Sequence, residues 1–366
     1  MKSKGLLILT VVTALSVAAA VWAVIDREQR ASAAAAPDAL FPGLIEQVND
    51  VTRVSVAGPG IAFTIVKGED GGWTVPEKGG YPVKFETVKQ AVVGIAALKP
   101  LEPRTAKPEL HAKLNLRLPS DGGRGTLLAL QTADGADLAA VLVGKTRSVA
   151  TDSRPGWHYV RKADDNQSWL AEGRVEVWDK IDRWLDSEMP TIDRRRVRTV
   201  HIERPDGEVI DISKTNPNDR DFTVENIPEG MKMLHDTAAN ALGSTLGYLT
   251  FDDVLPGDEK ALEEPLLARF TTFDGLVMEV RLAKQGEAYW GRFQGRFDPA
   301  AVRLDELAED KRQGMKTEDE VREEADRINQ RFAPWIYKLP EYKGKDFFVS
   351  RDELIMKIPE KSGSGG

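Results

Sequence analysis

The sequence predicts an α+β protein with two tandem repeats, each an antiparallel sheet with a packed helix, preceded by an N-terminal transmembrane helix. Three observations predict this fold. An uncharged stretch opens the chain, short runs of alternating apolar residues are separated by glycine-rich turns, and the same order of runs recurs about 146 residues later. A chain of 366 residues has room for roughly two domains, each with a core of its own.

The N-terminal stretch is uncharged from Leu6 to Ile25 and follows two lysines. About 20 residues of helix cross a hydrocarbon core of about 30 Å. Two interpretations remain open: an uncleaved signal-anchor over residues 1–30, which fits the length better, or a signal peptide cleaved near residues 31–33. Both predict export of the body. The anchor predicts a single-pass protein of the cytoplasmic (inner) membrane with its body on the periplasmic side.

The remaining chain divides by composition and by hydrophobic period. We expect a membrane anchor (1–30), a tether (31–39), a first α+β repeat (40–174), a linking helix (175–196), a second α+β repeat (197–300), a C-terminal helix and strand extension (301–361) and a flexible tail (362–366).

The first repeat opens with strands and continues with a helix. Val51, Val54 and Val56 lead into a turn at Gly58-Pro59-Gly60, a pattern typical of a hairpin. A helix is predicted from Phe85, because Phe85, Val88, Val92 and Ile95 lie on one helical face. Further strands are predicted at 126–132, 138–143 and 157–160.

The second repeat follows the same order. Val177, Ile181, Trp184 and Leu185 predict the linking helix, because they share one helical face. Val197, Val200 and Ile202 then repeat the first strand, and a helix is predicted from Leu234 to Thr245. In the extension, Thr317 and Glu320 have the spacing of a capping box, which predicts the start of a helix.

Four groups of residues carry a resemblance to a known family. They are Val51-x-x-Val54-x-Val56 with Trp73-Thr74-Val75, Tyr81-Pro82-Val83 followed by Val88 and the run Ile95 to Lys99, Trp184-Leu185-Asp186 followed by Val197 and Val200, and Trp335-Ile336-Tyr337-Lys338-Leu339-Pro340-x-Tyr342 with Asp352-Glu353-Leu354. In this order they resemble the domain-of-unknown-function family 4340. The resemblance implies an N-terminal membrane segment and an exported body. It also implies ABC transporter subunits as partners, since members are commonly encoded beside ABC-transporter components related to gliding-motility proteins. It implies no catalytic residues.

Composition limits the chemistry of the chain. A net charge of -8 argues against a nucleic-acid partner, which requires a basic surface. The chain has no cysteine, so a cysteine nucleophile, a disulfide and a thiolate metal site are excluded. Its four histidines are scattered, and none has another three or four positions away, as a metal pair on one helix requires. We therefore predict no catalytic residue, no cofactor and no metal site.

Two groups of residues are candidate partner contacts. Arg194, Arg195, Arg196 and Arg198 form the densest basic cluster and could meet an acidic partner or lipid head groups. The alternative is a charged linker that nearby acidic residues offset. Trp157 and Trp290 occupy equivalent places in the two repeats and could line a groove, and the alternative is core packing.

These observations favour a non-catalytic accessory or scaffold protein with an exported body, associated with an ABC-type membrane transport assembly. A second hypothesis is a periplasmic binding module for a small molecule or glycan, in the cleft between the repeats. A third, an envelope hydrolase, would need convergent carboxylates with shifted pKa values.

Overall fold

The computed structural model describes residues 38–148, 151 and 155–358. The predicted membrane anchor and flexible tail lie outside these residues, as do all but the last two residues of the tether. Within the described ranges, no helix is both long and apolar enough to cross a bilayer. The chain forms two compact units, the first ending at Leu185 and the second beginning at Asp186. Its mixed α and β structure, with antiparallel sheets and few helices, confirms that part of the fold prediction.

The described residues of the first unit form nine strands, which are β1 (Arg53–Gly58), β2 (Ile61–Lys67), β3 (Trp73–Val75), β4 (Tyr81–Pro82), β5 (Lys99–Pro103), β6 (Thr126–Gln131), β7 (Asp137–Ser148), β8 (Gly156–Lys162) and β9 (Ser168–Gly173). They form one antiparallel sheet in the order β4-β3-β2-β1-β6-β7-β8-β9-β5. Val54, Val56 and Ile65 are buried while their neighbours in sequence are more exposed, because successive side chains of a strand point to opposite faces. The sheet therefore buries one face in the core of the unit.

In the described part of this unit, two helices accompany the sheet, α1 (Phe85–Ala96) and α2 (Pro108–His111). The prediction of α1 is confirmed, and Val88, Val92 and Ile95 are buried on its inner face. Phe85 differs from the prediction, since its side chain is 63% exposed. As the first residue of the helix, it lies at the end of the stripe and outside the core.

The predicted linking helix is wrong. Residues 175–196 contain a single 3-10 turn, Ile181–Arg183, and no α-helix. The carbonyl of Trp184 accepts a hydrogen bond from the amide of Lys84 at 3.0 Å, and the next residue forms an antiparallel bridge with Val83. Each backbone N–H and C=O group forms one or two hydrogen bonds. The groups that pair with residues 83–84 are therefore not free to form the hydrogen bonds of a helix.

Up to residue 358, where the described part of the chain ends, the second unit contains ten strands, which are β10 (Val197–Glu203), β11 (Val209–Ser213), β12 (Thr223–Val224), β13 (Met231–Met233), β14 (Asp253–Pro256), β15 (Leu266–Thr272), β16 (Leu276–Gln285), β17 (Ala288–Phe297), β18 (Trp335–Leu339) and β19 (Ile355–Lys357). Eight of them form an antiparallel sheet in the order β12-β11-β10-β15-β16-β17-β18-β14, and β13 pairs with β19. Val200, Phe270, Val280 and Phe293 are completely buried at its inner face.

The helices of the second unit are α3 (Asn240–Ser244), α4 (Glu318–Arg331) and α5 (Glu341–Phe347). The predicted helix from Leu234 to Thr245 is reduced to α3 and a following 3-10 turn, because the amide of Leu234 extends the pairing of β13 by donating to the carbonyl of Leu354. The capping box of Thr317 and Glu320 is confirmed at the start of α4.

Candidate functional site

The hairpin of β16 and β17 creates a polar surface on the second sheet. A two-residue turn joins the strands, with Gly286 at its first central position and at a φ of 61°. The resulting register places Arg281 directly opposite Arg292. Because side chains alternate along a strand, both arginines point away from the buried face that holds Val280 and Phe293.

Residues 257–265, which we call the strap, join β14 to β15 and lie over this surface. Arg292 donates a hydrogen bond to the carbonyl of Gly257, and Gln285 donates to the carbonyl of Ala261 at 3.0 Å. A Cβ at Gly257 would lie 2.7 Å from the backbone oxygen of Pro334, so the close approach of these two segments requires glycine. The strap is thus held by side chains of the two strands beneath it.

A cavity of about 420 Å³, which we call the strap pocket, lies between the strap and the hairpin. Arg281 and Arg292 line its floor together with their polar neighbours Glu279 and Gln294, and the strap contributes Lys260. The pocket therefore combines three positive side chains from three segments of the chain. It is a concave site on an outer sheet face, where a ligand can enter from solvent.

The three cations of the strap pocket have no counter-ion among the described residues. Among the residues that the structure describes, no carboxylate oxygen lies within 4.0 Å of the charged nitrogens of Lys260, Arg281 or Arg292. Glu279 also lines the pocket, but its carboxylate pairs with Arg269 at 3.5 Å. Like charges directly opposite each other on adjacent strands are destabilising. The floor is consequently a place where added negative charge would be favourable.

The two tryptophans predicted as partner contacts each lie beside a cation. The Nζ of Lys260 is 5.0 Å from the ring centre of Trp290, and the guanidinium of Arg147 is 5.6 Å from that of Trp157. Both rings are half-buried, and Trp157 also donates to Glu172 at 3.4 Å. Contacts of this kind hold a cation over an aromatic ring. Trp290 therefore adjoins the strap pocket through Lys260.

The structure gives the four predicted arginines different environments. Arg195 is exposed, Arg194 and Arg198 are half-buried, and Arg196 is buried. The guanidinium of Arg194 lies 5.2 Å from the ring centre of Phe222. The Nε of Arg198 is buried and lacks a hydrogen-bond partner within the described ranges, and burial lowers the pKa of this side chain.

Arg196 is the centre of a buried ion-pair network. Its Nε and Nη2 donate to Asp274 at 2.8 and 3.2 Å, and its Nη1 and Nη2 donate to Glu324 at 2.9 and 2.7 Å. Lys316 lies 2.8 Å from the same Glu324. Burial alone would raise the pKa of Asp274, but the Arg196 guanidinium holds it below its usual value. Four of the five N–H groups of Arg196 are used in this network, so the side chain is bound mainly within its own unit.

Lys214 is a second buried cation, and the sequence analysis missed it. Its ammonium donates to the carbonyls of Arg194 at 2.8 Å and Pro217 at 3.1 Å, and lies 5.3 Å from the ring centre of Phe222. Burial, reinforced by repulsion from Arg194, lowers the pKa of Lys214 to about 8. Because backbone carbonyls hold the ammonium group, Lys214 has a structural role in the second unit.

His201 lies on the outer face of β10, between the buried Val200 and Ile202. Its Nδ1 is 2.7 Å from Asp211 and its Nε2 is 3.0 Å from Glu203. Burial alone would lower the pKa of His201, but these two carboxylates raise it above its ordinary value. Within the described part of the chain, no group of three His, Asp or Glu side chains is arranged to hold a metal ion.

The sequence analysis also missed Lys260, Arg281 and Arg292. A signal for the two arginines was present, because a two-residue turn at Gly286 between alternating runs fixes the register of the hairpin. No sequence pattern indicated the position of Lys260, because this position depends on the path of the strap over the hairpin.

The comparisons with known proteins identify the family. The sequence pattern of the family described as "Domain of unknown function (DUF4340)" matches residues 73–266, more than half of the chain. The protein therefore belongs to this family, as its resemblance implied. The match includes the whole strap and ends at the start of β15, before the two strands of the pocket floor. No curated protein and no solved structure matches the chain.

Proposed function

We propose that the protein is a non-catalytic accessory or scaffold subunit of an ABC-type membrane transport assembly, and that its exported body acts by recognition through the outer face of the second sheet. The strap pocket carries this proposal. Three cations line this concave site without a carboxylate partner in the described part of the chain, and such a site is suited to bind and orient a negatively charged group. The link to transport is supported by family membership, because the resemblance implies that members are encoded beside ABC-transporter components.

The location is part of the proposal. The uncharged stretch from Leu6 to Ile25, preceded by lysines, supports a single membrane-spanning segment with the body on the periplasmic side. A periplasmic reporter fused to the C-terminus should be active, and the protein should remain with membranes after a high-salt wash. Release of a shortened, soluble chain would show cleavage instead.

Binding of a small molecule or glycan is the second candidate function. The volume of the strap pocket, about 420 Å³, is in the range of about 300–1,000 Å³ that is typical of small-ligand sites. Leu262 and Pro265 add apolar surface to its wall. We place this binding in the strap pocket, in place of the cleft between repeats that the sequence analysis expected.

We also infer that the two units derive from an internal duplication. The strand order β3-β2-β1-β6-β7-β8-β9-β5 of the first sheet has the same connections as the order β12-β11-β10-β15-β16-β17-β18-β14 of the second. This correspondence supports the repeat in the sequence. In it, β8 with Trp157 corresponds to β17 with Trp290.

Purification from membranes through a C-terminal tag tests the accessory role. We expect ABC transporter subunits to copurify with the wild type and to be lost from Arg281→Glu, which reverses a charge in the pocket. Arg296→Glu is the matched control, because Arg296 is an exposed arginine of the same hairpin that pairs with Asp298 outside the pocket. Equal recovery from all three proteins, or no transporter subunit with any of them, would refute the role of this surface.

A further inference from the structure

We propose that the strap pocket binds a phosphate group carried by a small organic molecule such as a sugar. This inference rests on the proposed recognition role of the same surface and names the chemistry of its ligand. Arg281 on β16, Arg292 on β17 and Lys260 on the strap line one cavity, so a group inside it meets positive charge from three sides.

The number of donors favours a phosphate over a carboxylate. Each guanidinium presents a planar set of N–H groups that can bind two oxygens of an oxyanion. A carboxylate has two oxygens and a single charge, which one arginine satisfies. A phosphate monoester has three terminal oxygens and a charge of about -1.5 to -2 at neutral pH, which matches two opposed arginines and a lysine.

The floor has capacity that the protein itself does not use. The Nε of Arg292 is buried and has no hydrogen-bond partner in the described part of the chain. Arg281 is exposed, and within the same ranges its side chain forms neither an ion pair nor a hydrogen bond. Among the residues that line the pocket, the one carboxylate belongs to Glu279, and Arg269 already pairs with it. A bound dianion would relieve the repulsion between the two arginines, so binding should stabilise the folded second unit.

The remaining space accommodates an organic body. The cavity has a volume of about 420 Å³, and Leu262 and Pro265 of the strap give it an apolar wall. Trp290 lies at the edge of the site beneath Lys260. A sugar ring attached to the phosphate can therefore pack against the strap while the phosphate lies on the floor.

Calorimetry of the full chain tests the ligand. Glucose 1-phosphate should bind, inorganic phosphate should bind more weakly, and glucose should give no heat of binding. The phosphate ester should also raise the midpoint of thermal unfolding in proportion to its occupancy. Absence of binding by the wild type at about 10 mM of either phosphate compound would overturn the proposal.

Three variants locate the site. Arg281→Gln and Lys260→Gln should each weaken the affinity for glucose 1-phosphate about tenfold to a hundredfold, as loss of a charge-assisted hydrogen bond predicts. Arg296→Gln, with the same loss of charge on the neighbouring surface, should change it less than about twofold. The first two side chains are not part of the core, so folding should be retained. An equal loss in Arg296→Gln would show a general charge effect and refute the site.

Two further comparisons separate the alternatives. Vesicles of phosphatidylcholine with phosphatidic acid test whether the phosphate belongs to a lipid head group; binding to these vesicles and to no soluble ester would assign it there. Phosphate binding without copurifying transporter subunits would support the ligand and refute the accessory role. Copurification that depends on Arg281, without phosphate binding, would refute the ligand alone.

Discussion

Replacement of Arg196 by methionine tests the centre of the second unit. The side chain of Asp274 is 0% exposed and that of Glu324 is 11% exposed, and both receive two hydrogen bonds from Arg196. Removing one partner of a buried ion pair typically costs about 3–5 kcal/mol, because the remaining charge has no compensation. A domain is stable by only about 5–15 kcal/mol, so Arg196→Met should leave the second unit marginally stable.

The adjacent Arg195 provides the control. It is exposed, and its side chain donates to Asn218 at 3.0 Å. Substitution of an exposed residue usually changes stability by less than about 0.5 kcal/mol. Unfolding in urea should be followed by hydrogen exchange of peptides from β15 and β16, which reports on the second unit separately. Equal effects of Arg196→Met and Arg195→Met would refute the buried network.

The pH dependence gives an independent check. In the wild type, Arg196 holds the pKa of Asp274 below its usual value, so this stabilisation is present at neutral pH and is lost as the pH falls through the folded-state pKa. In Arg196→Met the buried Asp274 loses the guanidinium that lowers its pKa, so burial raises that pKa and protonation relieves the cost. The difference in unfolding free energy between wild type and variant should therefore shrink between about pH 7 and pH 4.5. A constant difference would contradict the assigned cause.

Three further substitutions have defined outcomes in the same unfolding experiments. Lys214→Met should lose stability relative to wild type as the pH rises from about 7.5 to 10, since the lowered pKa of Lys214 makes the unfolded chain bind more protons in that window; a flat difference would contradict this. His201→Gln should be most destabilising below about pH 6.5 and progressively less so as the pH rises through the raised pKa of His201, and the opposite trend would contradict the assigned pairing. Trp184→Ala, which deletes a fully buried indole, should cost the first unit about 3–5 kcal/mol, whereas Trp178→Ala, at 40% exposure, should cost clearly less; equal costs would contradict the burial of Trp184.

Local patterns predicted the elements whose determinants are local. The capping box of Thr317 and Glu320 lies at the start of α4, and the stripe of Val88, Val92 and Ile95 is the buried face of α1. In both cases the residues that decide the structure lie within a few turns of one another. In these two segments the local pattern was sufficient to place the helix.

The prediction of the linking helix was wrong because the backbone of this segment pairs with residues that are distant in the sequence. Trp184 and Leu185 are buried as an apolar stripe would require, but their backbone pairs with Val83 and Lys84, about 100 residues earlier in the chain. The indole of Trp184 donates to the carbonyl of Trp178. An apolar spacing of three and four residues is compatible with this irregular path, so the pattern alone did not distinguish it from a helix.

The candidate site was harder to predict for the same reason. Arg194, Arg195 and Arg196 are adjacent and chemically identical. Arg196 is nevertheless buried, because it pairs with Asp274 and Glu324, which lie 78 and 128 positions away in the sequence. Trp290 was identified as a candidate contact, and the structure places it beside the strap pocket. The cation above it, Lys260, comes from a loop whose path no periodic pattern indicates.

Arg196 and Arg281 differ in whether the fold provides a carboxylate partner, and this difference predicts how a charge reversal at Arg281 changes stability and binding. The fold pairs Arg196 with two carboxylates, whereas Arg281 faces Arg292 with no counter-ion in the described ranges. Arg281→Glu would turn this repulsion into a cross-strand attraction, and such pairs contribute about 0.2–1 kcal/mol. We expect the variant to be more stable than the wild type in urea and to lose glucose 1-phosphate binding, because activity commonly costs stability at a functional site. Arg296→Glu removes the pair with Asp298 and should be less stable. A fall in stability in both variants would show that the opposed arginines are not a strained pair.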